Sequence, residues 1–539
     1  MKLSNLLNAF TDEANKELNS AGRVLDRQLK NAALSVNQSD QRDPEIGSVH
    51  YRAQDVKPNG LFVAIKGLVA DGHDFIDEAA ARGASAIITQ KPVTLNRLKK
   101  RFGNVNTDPV VIETEDSRRA LALISGRFFG NPSEHLKVVG ITGTNGKTTT
   151  AYLIESILGK AGFRVGVIGT QNYRFSGKTF KNPMTTPESL DLQRILADML
   201  MGGVTHVAME VTSHAIDLFR VGNCHFDVGI FTNLSQDHLD YHGDMDAYWS
   251  CKKRFFTRYL CSGPKKDRSW AVINCSDARG KELLTVPVAS MLTTGHSEDN
   301  MIRPQTIRQN LAGLKGTIST PTGIFDFTSA LVGKHNLENI LSAAGAGIAL
   351  DLPVASIKEG IEAVSGVPGR LERIPNDTDR FVYVDYAHSP DALENVLSCL
   401  RTLTKNRIVC VFGCGGNRDK EKRPQMGEIA ARLADLSIIT SDNPRTEAPM
   451  KIIEQVLMGT KNVTLNRYMP SDLESGFQRN GYVAEPDREK AIRLGISASK
   501  PGDTVLIAGK GDETYQIIGG ETIPFDDRET AKKALQALV

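Results

Sequence analysis

Apolar residues fall in short dense runs that alternate, over most of the chain, with segments of helical period. LFVAIKG (residues 61–67) and SAIIT (residues 85–89) have the aliphatic character of buried strands, and FIDEAAARG between them has helical spacing. DPVVIET adds a strand and DSRRALALISGRFF an amphipathic helix, before Asn131-Pro132-Ser133 breaks the pattern. From Val138 onward VVGIT, FRVGVIG, THVAMEV, FDVGIFT and SWAVINC repeat the alternation. A third set follows in FVYVDYAHSPDALENVL, RIVCVFGCGG, LSIITSDNPR and DTVLIAGKGDE. Strands that alternate with helices predict mostly parallel sheets covered by helices, an α/β fold. The chain divides on this reading into residues 1–135, 136–366 and 367–539, in keeping with a length of 539 residues. The stretch through about Asp43 is polar and reads as a loose extension, and residues 466–489 read as a surface insertion.

One junction carries chemistry. In VVGITGTNGKTTTAYLIESIL (residues 138–158) a strand over 138–142 runs into a glycine-rich turn, and a helix opens near Lys147. Ala151, Ile154, Ile157 and Leu158 recur on one face of that helix. Free N–H groups of the turn and the helix start form an anion cradle. Lys147 adds a point charge for β- and γ-phosphates, and Thr148 offers a hydroxyl to Mg2+. A junction that merely needed glycines would not call for Gly-Lys-Thr at the helix start. The general pattern G-x-x-x-x-G-K-[ST] requires glycine at position 141, yet the chain has Ile141, with its glycines at Gly140, Gly143 and Gly146.

Polar groups stand just past the ends of the next strands, where open α/β sheets place their ligands: Glu210, Asn233 and His238. A hard cation prefers oxygen ligands, so His238 is on chemistry alone as readily a hydrogen-bonding residue as a ligand. Lys252, on the helix that follows, reads by itself as part of a solvated face. The last third suggests a Rossmann-like domain, but GCGGNRDK lacks the third glycine of a nicotinamide-binding turn.

Composition narrows the classes. Lys+Arg 65 against Asp+Glu 63 leaves +2, so nucleic acid is not an expected partner. No apolar run approaches the ~18 residues of a membrane span. The amino terminus carries Asp12 and Glu13 where a signal peptide would be apolar. Seven cysteines without a Cys-x-x-Cys pair fit reduced cytoplasmic thiols rather than disulfides or a zinc site.

The string GITGTNGKTTT resembles the P-loop of the Mur ligases and their folylpolyglutamate synthetase relatives. EVTSHA, TNLSQDHLDYHGDM, YWSCKKRFF, GKHNLENILSAA, GRLE and VDYAHSPDALE continue the resemblance in the family's order over almost the whole chain. It implies a three-domain architecture: an amino-terminal UDP-binding α/β domain, a central P-loop ATPase domain and a Rossmann-like carboxyl-terminal domain that binds the amino acid. It implies that ATP contacts Gly143, Thr144, Asn145, Gly146, Lys147, Thr148 and Thr149, with Asn336 and Asn339 facing the adenine. Arg370 is implied near the phosphates, and Asp385 and His388 where two domains meet. Thr148, Glu210 and His238 are implied Mg2+ ligands, and Lys252, four residues after Tyr248, an implied carbamylated lysine. Tyr51, Thr185, Thr186, Thr212, Ser213 and Arg220 stand where the family holds a UDP-muramyl peptide.

The carboxyl-terminal blocks GCGGNRDKEKRPQMG, SDNPRTEAP and GKGDETYQ resemble the diaminopimelate-adding branch. That likeness implies contacts to the amino acid from Arg418, Asp442, Asn443, Pro444, Arg445, Gly509 and Glu513. The implied activity is ATP-dependent amide formation in peptidoglycan precursor synthesis. Its substrates would be UDP-MurNAc-L-Ala-D-Glu, meso-diaminopimelate and ATP, handled by a cytoplasmic monomer with no nucleic-acid or membrane partner. His50-Tyr51-Arg52 replaces the family's Asp-Ser-Arg uridine element, although Leu68 to Ala70 still follow LFVAIKG as expected. Leu218 and Asp512 also depart from the family pattern. Other readings are a relative that adds lysine or glutamate or acts on folate, a P-loop NTPase switch, and a nucleotide-binding scaffold without turnover.

Overall fold

The computed structural model describes residues 1–10, 35–36, 42–67, 70–93, 109–473 and 476–538. Most of the polar stretch expected as a loose extension lies outside the described residues, as do Leu68 and Val69. The chain forms two compact units, Met1–Ile302 with Ser342–Ile357, and Arg303–Leu341 with Lys358–Val539.

In the first unit, a five-stranded sheet runs in the order Ser35–Val36, Val110–Glu113, Ala84–Thr89, Gly60–Val63, Ser48–His50. All its neighbours are parallel except the first pair. An eight-stranded sheet follows, ordered Ser290–Thr294, Trp270–Asn274, Val228–Phe231, Lys137–Thr142, His206–Glu210, Val165–Ile168, Asn172–Phe175, Lys178–Lys181. Its first six strands are parallel and the last two form an antiparallel hairpin at the edge. The apolar runs make these strands because both faces are covered: Val138, Val139, Ile141, Val207, Met209, Ile230 and Phe231 are all buried. Ile141 is thus a core residue of the central strand, which is why no glycine stands there. Gly140 has the opposite constraint, since a Cβ would meet Phe255 at 2.6 Å and Phe226 at 2.7 Å.

The amino-terminal sheet is tied to the larger one by polar contacts. Arg118 Nη1 donates to Glu188 Oε2 at 3.0 Å, Tyr51 Oη to Asp191 Oδ2 at 2.7 Å, and Asn223 Nδ2 to Asn131 Oδ1 at 3.0 Å.

The second unit opens with an antiparallel meander, Arg303–Asn310, Gly313–Thr320 and Gly323–Ser329, which the apolar pattern does not announce. Its first strand is mostly polar and exposed. The main sheet has six strands, ordered Glu372–Ile374, Phe381–Asp385, Thr504–Ala508, Ile408–Cys414, Leu436–Ser441, Gly481–Ala484. Only the first pair is antiparallel, so Asp385, Ala508, Cys414 and Ser441 all end on one edge. Among the described residues no helix is long and apolar enough to cross a membrane.

Residues 466–489 are not a surface insertion. They contain the sixth strand, and Leu473 and Phe477 are buried in the same core as Ile438, Val483 and Ile496. The Arg407 guanidinium lies 4.3 Å from the Phe477 ring centroid. Phe477→Ala is therefore expected to destabilise the fold by about 3–5 kcal/mol in denaturant titration. A change within about 0.5 kcal/mol, the range of surface substitutions, would restore the insertion reading.

Candidate active site

The glycine turn is fixed from outside as much as by its own conformation. Gly143 has φ 148° and Gly146 φ 86°, and a Cβ on Gly143 would stand 1.9 Å from Thr232 Oγ1. Thr144 N donates to Asn233 O and Asn145 N to Asn233 Oδ1, both at 2.9 Å, while Thr232 Oγ1 donates to Asn145 O at 2.6 Å. Thr144 Oγ1 lies 3.2 Å from the Tyr248 hydroxyl. The helix Lys147–Lys160 starts directly behind, with Thr148 and Thr149 buried in its first turn. Lys147 Nζ donates to Thr144 O at 2.7 Å and to Gly143 O at 3.0 Å. A held turn, a helix start and a cation together form an anion-binding cradle.

Glu210 ends the neighbouring strand and is buried beside that cradle. Its Oε1 accepts from Thr148 Oγ1 and Thr170 N, and its Oε2 from Thr170 Oγ1, each at 3.0 Å. Thr170 was not singled out from the sequence, because a threonine after VGVIG carries no motif. The Thr148 hydroxyl and the Glu210 carboxylate are adjacent oxygen donors next to an anion cradle, a donor set that fits Mg2+. His238 lies exposed with φ 54°, its ring edge-on to His214 at 4.9 Å. Among the described residues no hydrogen bond joins His238 to Glu210 or Thr148.

Lys252 does not lie on a solvated face. It is 1% exposed on the helix Met245–Arg254, and its Nζ donates to Gly143 O at 2.8 Å, the carbonyl that Lys147 also uses. Burial, with the charge of Lys147 behind it, pushes the Lys252 amine well below the ordinary lysine range.

The residues expected around the muramyl peptide form one polar patch beside Glu210. Thr186 Oγ1 donates to Glu210 O at 2.8 Å and accepts from Thr212 N at 3.2 Å. Thr212 caps the helix Ser213–Asp217, and Ser213 Oγ lies 3.0 Å from His242 Nε2. Thr185 Oγ1 meets Thr170 Oγ1 at 3.1 Å. Arg220 is buried, with Nη1 3.4 Å from Thr186 O and Nε 3.7 Å from Glu188 Oε2. Glu188 thus sits between Arg118 and Arg220, two residues that the sequence places far apart. Tyr51 is engaged by Asp191; burial and that carboxylate push its phenol above the ordinary range.

In the second unit, Asn443 links the amino-acid residues. Its Nδ2 donates to Glu513 Oε2 at 2.9 Å, and its Oδ1 accepts from Lys510 Nζ at 3.2 Å and Ile517 N at 3.0 Å. Lys510, fully buried and absent from the expected set, also donates to Glu513 Oε2 at 2.8 Å. Asp442 Oδ1 stands 3.7 Å from Lys510 Nζ and accepts no hydrogen bond among the described residues. Burial pushes its carboxyl up, against the charges of Arg488 and Lys510. Gly509, φ 119°, would bring a Cβ within 3.7 Å of Asp442. Gly416 packs so closely on the next loop that a Cβ would lie 1.9 Å from Pro444 O.

Arg445 holds φ 53° and anchors Nη1 on Gly416 O at 2.7 Å. Glu447, two residues on, pairs instead with Arg423 at 2.9 and 3.0 Å. Among the described residues no carboxylate pairs with Arg445. Arg418 is exposed on the loop before.

Asn336 and Asn339 are buried at the start of the helix Lys334–Ala349, joined by a 3.1 Å hydrogen bond. Asp385 accepts from Leu371 N at 2.6 Å and Ala387 N at 2.8 Å, and burial pushes its carboxyl up. The Arg370 guanidinium lies 4.6 Å from the Tyr386 ring centroid, and His388 is exposed.

Residues 45–129 match the family described as "Mur ligase family, catalytic domain", residues 141–347 "Mur ligase middle domain", and residues 369–511 "Mur ligase, glutamate ligase domain". A Geobacter metallireducens protein named UDP-N-acetylmuramoyl-L-alanyl-D-glutamate–2,6-diaminopimelate ligase is 46% identical over 494 residues, 92% of this chain and 95% of its own. A Bacillus licheniformis protein of the same name is 42% identical over 498 residues, 92% of this chain and 96% of its own. A solved structure carrying that name superposes with TM-score 0.64 at 29% identity, covering 92% of this chain and 95% of that one. The MurF ligase of Thermotoga maritima, solved with ADP, shares the fold at TM-score 0.59 and 20% identity, covering 91% and 98%.

Proposed function

The chain belongs to the Mur ligase family, and we propose that it joins meso-diaminopimelate to the D-glutamyl carboxylate of UDP-MurNAc-L-Ala-D-Glu at the expense of ATP. The observation that carries the choice of amino acid is Arg445, a guanidinium held by backbone carbonyls that pairs with no carboxylate among the described residues. The near relatives bearing the name of that ligase support it.

The reaction is two transfers. A glutamyl carboxylate oxygen attacks the γ-phosphorus of ATP and ADP leaves, giving an acyl phosphate. The neutral amine of diaminopimelate then attacks the acyl carbon, the tetrahedral intermediate collapses with loss of phosphate, and the amide nitrogen sheds a proton. Gly143, Thr144 and Asn145 shape the turn around the triphosphate, and Lys147 with the N–H groups from Gly146 to Thr149 holds it, where their charge meets that which develops in transfer. Thr148 and Glu210 would hold Mg2+, with His238 as a further ligand. When bound, that ion neutralises phosphate charge. Asn336 and Asn339 face the adenine, and Arg370 and Asp385 complete the nucleotide residues. Thr185, Thr186, Thr212, Ser213 and Arg220 hold the muramyl peptide, and Tyr51 belongs to the uridine end. Arg418, Asp442, Asn443, Pro444, Arg445, Gly509 and Glu513 hold the incoming amino acid. The division at 135/136 and 366/367 is part of this proposal, supported by the three family matches. The nucleotide substrates and seven unpaired cysteines support a cytoplasmic enzyme, and a monomer is part of the same proposal.

Lys252 is assigned as a carbamate. Burial and the Lys147 charge disfavour the ammonium form of this amine; the free amine adds to CO2 with loss of a proton, and the product is an anion beside Lys147. With 13C-bicarbonate, a carbamate carbon resonance is expected in the wild type and not in Lys252→Ala. Identical spectra would remove the assignment.

Diaminopimelate differs from lysine by a second carboxylate, which an arginine fork can take with two parallel charge-assisted hydrogen bonds. Lysine leaves that fork unpaired, and sites built this way discriminate by ~10⁴-fold or more. The wild type should prefer meso-diaminopimelate by that order in kcat/KM, and Arg445→Ala should lose most of the preference. Comparable kcat/KM for the two amino acids in the wild type would overturn the proposed substrate.

A further inference from the structure

One ion pair in the second unit has no part in the contacts assigned above and is entirely buried. Arg488 and Asp527 each have a side chain 0% exposed. Arg488 opens the helix Arg488–Ala498 and Asp527 opens the helix Asp527–Gln536 near the end of the chain. The guanidinium makes four hydrogen bonds: Nε and Nη2 to the Asp527 carboxylate at 2.7 and 2.6 Å, Nη1 to Ser441 O at 3.1 Å, and Nη2 to Ala508 O at 3.0 Å.

The two carbonyls are what give the pair a meaning. Ser441 ends one strand and Ala508 another, and these strands are not neighbours, since Ile408–Cys414 lies between them. Main-chain ladder bonds therefore do not link the two ends directly. Asp442 to Arg445 follow Ser441 immediately, and Gly509 to Glu513 follow Ala508. The guanidinium spans the intervening strand and fixes the spacing between the two loops that carry the amino-acid residues. A Cβ on Gly509 would lie 3.7 Å from Asp442 Oδ2 and 3.9 Å from Arg488 Nη2, so the clamp reaches the edge of that site. Its charge also opposes the effect of burial on Asp442. A buried ion pair adds little stability over a well-packed apolar pair of similar size, so stability alone does not account for one here.

The geometry points to Arg488, oriented by Asp527, as a positioning residue for amino-acid recognition, which makes the carboxyl-terminal helix part of the specificity apparatus. The inference rests on the assignment of this site to the incoming amino acid. In the full-length enzyme, KM is measured for meso-diaminopimelate, ATP and the UDP-muramyl dipeptide in wild type, Arg488→Lys and the double variant Arg488→Met/Asp527→Leu. Misplacement of site groups by a fraction of an ångström to 1 Å should raise KM for diaminopimelate at least ~10-fold in the double variant, with the other two KM values within ~2-fold. Arg488→Lys should fall between, because an ammonium keeps the pairing with Asp527 but cannot span both carbonyls. An unchanged KM for diaminopimelate, with only the melting temperature lowered, would overturn the inference, and so would a parallel rise in all three. If the double variant does not fold, the lysine variant is judged by the same split. A wild type that uses another amino acid would refute the substrate assignment alone, and the KM split would then be read with that amino acid.

Discussion

Two lysines donate to one carbonyl. Lys147 and Lys252 both reach Gly143 O, so their nitrogens lie within about 6 Å of each other in a buried place. Two ammonium ions at that separation repel by about 3 kcal/mol at an effective dielectric constant near 20. The pocket relieves this by holding one amine uncharged or by taking in anions. Burial disfavours the ammonium form at Lys252. The rest of the first unit serves this arrangement: Gly140 lets Phe226 and Phe255 close beneath the strand, and Asn233 and Thr232 hold the turn at its proper height. A held turn with a cation at Lys147, and a carboxylate and a hydroxyl beside it, suits phosphoryl transfer, where positioning and charge do most of the work.

On the proposed assignment, the second unit has a different task, recognition of a dicarboxylic amino acid. Asn443 braces the ion pair of Lys510 and Glu513 by bonding to both, while Glu447 is taken by Arg423 and among the described residues no carboxylate pairs with Arg445. Main-chain carbonyls anchor Arg445 in place of a carboxylate, at a left-handed backbone position that only a closely packed loop would hold.

Much of this was legible in the sequence, for identifiable reasons. Glycine, lysine and threonine at a strand–helix junction have a fixed geometric consequence, and residues just past parallel strands fall on one edge whatever the loops do. Burial of a helical lysine has no such signature, because it depends on what packs over the helix; Lys252 therefore looked solvent-facing until its environment was known. Residues 466–489 read as an insertion from the sequence because Leu473 and Phe477 are isolated among polar residues and the apolar run at Gly481–Ala484 is short. The meander over 303–329 has too few apolar positions to stand out.

The central claim is that the cradle around Gly143 passes a phosphoryl group from ATP to the substrate's carboxylate, and the oxygen of that carboxylate records the event. UDP-MurNAc-L-Ala-D-Glu labelled with 18O in the glutamyl carboxylate can be turned over with ATP and meso-diaminopimelate, and the released phosphate analysed by mass spectrometry. An acyl phosphate route transfers one labelled oxygen to each phosphate formed. Unlabelled phosphate, released at the same rate as amide, would contradict the account.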